Sequence, residues 1–176
     1  VLDSLEQRLP GRFNLVSVQE KAGPLMTEPL APHVVVAMQE VMRMNTLVEE
    51  IARSLVELRK GLNGQLNMSQ QMEDLASALS LNEVPGRNPF HLASWEKLAW
   101  PSRKNLQHWF YDLEQRIEQL VSWEARLELP ASLWLALFNP TAFLTAIQQV
   151  VARKKNLPLD NMTTETNVTT YRRPED

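Results

Sequence analysis

The stretch that decides the fold is Val34-Val-Val-Ala-Met-Gln-Glu-Val-Met-Arg-Met-Asn-Thr-Leu-Val-Glu-Glu-Ile-Ala-Arg-Ser-Leu-Val-Glu-Leu-Arg-Lys-Gly-Leu62. Val34, Val41, Val48, Leu55 and Leu62 recur every seven residues, and Ala37, Met44, Ile51 and Leu58 follow each of the first four by three. Apolar side chains at alternating spacings of three and four share one helix face, so the pattern predicts a seam sustained over four heptads. Glu40, Arg43, Glu49, Glu50, Arg53, Glu57 and Arg59 are expected on the other faces. At the α-helical rise such a helix is roughly 43 Å long. Gly61 and Gly64 suit its end, because glycine tolerates the left-handed backbone of a C-terminal cap. The seam could pair with a partner protein or pack within one bundle. A second stripe in the same sequence favours the bundle: Leu106, Phe110, Leu113, Ile117, Leu120 and Leu127, on a helix capped by Ser102 and closed near Glu128 by Pro130.

Outward from these two helices the pieces are shorter. Leu2, Leu5 and Leu9 predict a helix over Val1–Leu9 that Pro10-Gly11 stops. Phe13 to Pro32, with Gly23, Pro24 and Pro29, reads as an irregular connection. Ser69 caps a helix from Gln70 to about Leu81 whose apolar face is Met72, Leu75, Ala76 and Leu79. Val84 to Pro101 is broken by Pro85, Gly86 and Pro89. Ser132–Phe138 and Thr141–Lys155 predict two further helices, split at Asn139-Pro140, and Pro158 ends the last. Only Thr166 to Tyr171 hints at a strand. The expected fold is therefore all-α, an antiparallel bundle of about five to six helices with two long heptad-patterned ones. Residues 1–165 form its helical part and residues 166–176 a polar tail.

The composition excludes several functions. Lys plus Arg total 18 against 21 acids among 176 residues, for a net charge of −3. No basic run accompanies it, so no nucleic-acid partner is expected. No apolar run approaches the roughly 20 residues that span a bilayer, so no membrane partner is expected either. There is no cysteine, hence no disulfide, thiolate metal site or cysteine nucleophile. Gly61-Leu-Asn-Gly64 lacks the lysine of a phosphate-binding loop, and no serine lies in a nucleophile elbow. His33, His91 and His108 lack second ligands at metal spacing. His108, with Asp112 one turn on, reads as an exposed imidazole beside an acid. Asn67-Met-Ser69, Asn161-Met-Thr163 and Asn167-Val-Thr169 are read as chance matches to the glycosylation pattern. No residue is singled out as catalytic, cofactor-binding or metal-ligating. Of five tryptophans, Trp109, Trp123 and Trp134 are expected in the core, whereas Trp95 and Trp100, on the irregular segment, are more open. The sequence opens on Val1 in what reads as mid-helix, the pattern of a piece of a longer protein.

Several strings are more specific. They are Asn45 to Leu58, with Gly61-Leu-Asn-Gly64 and Met68-Ser69; Val84-Pro85; Trp100-Pro101-Ser102; and Trp109 to Arg116. Leu129-Pro-Ala-Ser-Leu-Trp-Leu135, Asn139-Pro140, Phe143-Leu-Thr-Ala146, Gln148, Ala152-Arg-Lys154 and Leu157-Pro-Leu-Asp160 follow in order. Together they resemble the C-terminal domain of dynein heavy chains, closest in wording to the axonemal outer-arm (β-type) class. There are departures. Gly86 to Ser94 is a longer stretch before Trp95 than the family shows, Trp100 replaces the usual Tyr, and the run after Trp134 is one residue short and lacks a Gly.

The resemblance implies a helical layer on the face of a ring of AAA+ modules, near the first, fifth and sixth, in a minus-end-directed microtubule motor. It places the ATP and Mg sites upstream, with no cofactor in this segment, and a small β-barrel after it. It implies partners in the ring of the same heavy chain, in dynein intermediate and light chains and in the microtubule. The implied location is cytoplasmic and cytoskeletal, in the axoneme of a cilium or flagellum. On that basis the candidate ring-contact residues are Phe90, Trp95, Glu96, Lys97 and Trp100. The segment is expected to bias ring conformations rather than to catalyse. A coiled-coil adaptor using the 34–62 seam is the alternative.

Overall fold

The computed structural model describes all residues except 28–30, 91, 93, 129–136, 166 and 168–176. Among the described residues the regular structure is entirely helical: α1 (Leu2–Arg8), α2 (Leu15–Met26), α3 (Pro32–Leu62), α4 (Gln70–Ser80), α5 (Trp95–Leu98), α6 (Leu106–Arg126) and α7 (Pro140–Lys155), with a 3-10 turn at Leu159–Asn161. The helix expected over Ser132–Phe138 and the strand hinted at over Thr166–Tyr171 lie mostly outside the described residues, as does Trp134; Leu137 and Phe138 are not helical. The protein divides into two compact units. The first comprises Val1–Phe13 and Arg43–Ile117, the second Asn14–Met42 and Glu118–Asp176.

The heptad seam is buried by the protein itself. Val34, Ala37, Val41, Met44, Val48, Ile51, Leu55 and Leu58 are all buried, and only Leu62, 61% exposed, falls outside it. Burial extends beyond the stripe to Met38 and Leu47 and, among polar groups, to Glu40 and Asn45. Glu40 thus corrects the expectation of a solvated acid on an outer face. Gly64, at φ +71, supplies the left-handed residue at the helix end, whereas Gly61 is still helical. Its lack of a side chain makes room for sulfur instead: a Cβ there would meet Met68 Sδ at 2.5 Å.

In the first unit Asn45 fixes the backbone before α2. Its Nδ2 donates to the Phe13 carbonyl (2.9 Å) and its Oδ1 accepts the Phe13 N–H (2.8 Å). Asn45→Ala strands both buried backbone groups and is expected to cost about 1–3 kcal/mol, read as a lowered denaturation midpoint. Glu6 and Asp3 of α1 accept from Arg59, which holds the Asp3 carboxyl below the usual carboxylate range. Arg8 pairs with Glu114 through two bonds of 2.7 and 2.9 Å. In α4, Ser69 caps as expected, but the buried face is Asp74, Leu75, Ala78 and Leu79, so Asp74 and Ala78 rather than Met72 and Ala76 point inward. The N-cap of α6 is not Ser102. The Asn105 side chain accepts the His108 N–H (3.1 Å), and Asn82, at φ 57, accepts Leu106 N–H on its carbonyl and Gln107 N–H on Oδ1.

In the second unit, α2 replaces the expected irregular connection. Asn14 caps it by accepting from Ser17 N–H (3.2 Å), and Val18 and Ala22, four apart, form its narrow buried stripe. Pro24 sits in the last turn, where the missing N–H costs least structure. Lys21 pairs with Glu124 at 2.8 Å. α7 begins at Asn139, whose side chain accepts from Ala142 N–H, and ends in a left-handed Asn156.

Candidate functional site

The site is the proline-broken segment between α4 and α6, which the sequence placed outside the heptad seams. Its backbone is pinned at both ends. The Pro85 carbonyl accepts Glu96 N–H (3.0 Å), and the Arg87 guanidinium reaches Glu96 (3.1 Å), the Lys104 carbonyl (2.8 Å) and the Ser102 carbonyl (3.1 Å). A planar fork with several donors is suited to such a triple latch. In the middle of the segment, buried Asp74 accepts Leu92 N–H (2.8 Å) and the Gln70 amide (2.9 Å). Ser94 Oγ donates to Glu50 (2.6 Å). Trp95 Nε1 donates to Ser54 Oγ (2.9 Å), whose own hydroxyl donates to the Ile51 carbonyl (3.0 Å). Glu50 and Glu57 in turn flank Arg53 and hold its guanidinium above its ordinary range.

Inside these latches runs a ladder of rings. Trp95 stacks on Trp109 at 6.2 Å between centroids and 21° between planes, and Trp109 on Trp100 at 5.2 Å and 11°. The Arg116 guanidinium caps the ladder 4.0 Å from the Trp100 ring. The helix period makes this possible: Trp109 and Arg116 are seven residues apart on α6 and share its inner face. Each stacked pair is worth about 0.5–1.5 kcal/mol beyond area burial. A desolvated cation over indole adds up to about 2 kcal/mol.

The five candidate contact residues are thus divided. Trp95 and Trp100 are 1% and 4% exposed and belong to the ladder, so the expectation that they are more open than the other tryptophans is corrected. Glu96 is half-buried against Arg87. Phe90, 89% exposed, and Lys97 stand in solvent, and Leu92 beside them is 59% exposed. The structure places a held backbone beneath an exposed apolar tip. Composition announced the aromatics, but not which of them faced inward.

Elsewhere the described residues offer little room for small-molecule chemistry. The space between Glu50, Ser54, Gln71 and Trp95 is about 10 Å³, enough for about one water. In the second unit an open groove of about 490 Å³ is lined by Val35, Val36, Ala142, Thr145, Ala146 and Gln149 among others, none of them titratable. No three acidic or histidine side chains among the described residues converge as metal ligands. His108 and Asp112 do not pair: the imidazole bonds Asn105 Oδ1 (2.7 Å) and the acid bonds Lys104 (2.8 Å). No described helix is long and apolar enough to cross a membrane.

Residues 1–176 match the family model for the C-terminal domain of dynein heavy chains. The ciliary dynein beta chain of Heliocidaris crassispina is 46% identical over 170 residues, which cover 96% of this protein and 4% of that one. The flagellar outer-arm beta chain of Chlamydomonas reinhardtii is 44% identical over 170 residues, again 96% and 4%. Axonemal heavy chain 17 of Mus musculus is 43% identical over 176 residues, 99% and 4%. The 176 residues thus span about 4% of the length of these relatives. Similarity at this level along nearly every residue means that the protein belongs to the family formed by the C-terminal domains of dynein heavy chains.

Proposed function

We propose that this protein is a non-catalytic helical segment of an axonemal dynein heavy chain, packing on the AAA+ ring of the same polypeptide and biasing its conformations. The full-length match to the C-terminal domain carries this reading, and the names of the relatives favour a ciliary or flagellar outer arm. In the parent motor ATP and Mg act at upstream ring modules. Microtubules and the intermediate and light chains are then partners of the motor as a whole. An element without chemistry of its own alters an ATPase only by contacting the ring states with different free energies. The bracing role suits a segment whose backbone is latched by Arg87, Asp74 and Ser94 while Phe90 and Lys97 point outward.

The test is made in a complete outer-arm heavy chain with Phe90→Ser and Lys97→Glu introduced together. Neither side chain supports the fold, so folding should be unaffected. Microtubule-stimulated ATPase rate or gliding velocity is expected to shift severalfold. If both stay at wild-type values while the protein remains folded, Phe90 and Lys97 do not meet the ring.

A further inference from the structure

His33 occupies the first turn of α3, in the second unit, where three parts of the sequence meet. Its imidazole is half-buried and bonds the backbone of Leu127, the residue just past α6 whose φ of 55 places it in the left-handed region. Nδ1 is buried and has no hydrogen-bond partner among the described residues, so Nε2 is the nitrogen that donates to the Leu127 carbonyl. The charged group facing the ring is Lys154 of α7.

No acid balances it. The first turn of α3 carries none, and Glu40, two turns on, accepts from Phe138 and Asn139. Arg126 and Glu128 flank Leu127 at exposed positions, and α7 contributes Arg153, Lys154 and Lys155 to its last turn. A neutral ring suits this setting, because an unprotonated Nδ1 presents only a lone pair. Protonation would create a buried N–H without an acceptor, beside an ammonium and at the positive end of the α3 dipole. All three effects have one sign.

We propose that His33 is a proton-sensitive clasp. In its neutral form it ties the end of α6 to the start of α3, and on protonation it loosens α7 and the end of α6 while the first unit is unaffected. Burial and Lys154 together hold the His33 pKa below its ordinary 6.5. The unfolded polypeptide therefore takes up the proton first. The clasp's contribution is complete above pH 6.5 and is lost as pH falls through the lower folded-state value.

Hydrogen exchange on the 176-residue protein between pH 7.5 and 5.5, corrected for intrinsic amide chemistry, tests the idea. Exchange over the end of α6 and over α7 should rise severalfold on acidification, with α4 and the start of α6 unchanged. His33→Gln keeps a neutral donor for the Leu127 carbonyl and should abolish the rise, whereas His108→Gln should not. NMR titration of the unaltered protein gives an independent readout, with the His33 ring expected to titrate below 6.5. A ring titrating at or above that value overturns the proposal, and so does a rise that survives in His33→Gln.

Discussion

Replacing Trp109 by alanine is expected to lower stability by about 3–5 kcal/mol, the range for removing a fully buried large aromatic. Trp109 is 0% exposed and is the middle rung of the ladder, so its loss also breaks the stacks on Trp95 and Trp100. Domains of this size have about 5–15 kcal/mol in all, so the variant should sit near its unfolding transition at room temperature. Trp109→Phe should be far milder, about 1–2 kcal/mol, because it keeps a ring in the stack. It loses no hydrogen bond, since Trp109 Nε1 is buried without an acceptor among the described residues. Urea denaturation followed by tryptophan fluorescence separates the two. Equal losses for Ala and Phe would mean that the stacked geometry contributes nothing.

The second large effect concerns Glu40. The carboxylate is 1% exposed and accepts the backbone N–H groups of Phe138 and Asn139, the latter at 3.1 Å, immediately before α7. Bonds to a charged acceptor are worth about 1.5–3 kcal/mol each, offset by the cost of keeping a carboxylate out of water. Glu40→Ala is therefore expected to cost about 2–4 kcal/mol. The loss should be local, seen as faster amide exchange through the first turns of α7 with the first unit unchanged. Glu40→Gln should cost a similar amount, because its NH₂ would confront one of the two amides. Exchange rates equal to wild type in the alanine variant would show that the bonds only balance the desolvation of the acid.

These two residues also mark where the sequence was legible. The α3 seam was readable because its apolar residues keep one period for four heptads, and eight of the nine are buried. Glu40 was not, since nothing in its neighbourhood signals that two amides nearly a hundred residues away would come to it. Asp74 and Asn45 escaped for the same reason: a polar residue goes inside when distant backbone groups need partners, and periodicity does not record those partners. α2 was missed because Gly23-Pro24 suggested a break and its buried stripe is only Val18 and Ala22. In the candidate segment the aromatics were correctly singled out as special. Their division into buried Trp95 and Trp100 and exposed Phe90 depended on Trp109 and Arg116, which lie on another helix.

Asn82 gives α6 a dependence that the finished fold conceals. The first two amides of that helix find acceptors only on a residue beyond the end of α4, so the intervening residues must close into a loop before they are satisfied. Loop closure is an entropic toll that local helix growth does not incur. During folding α6 can therefore lengthen from its middle, around Leu113 and Ile117, well before its beginning is fixed. The first turn of α6 and the last of α4 lock together late, as one event.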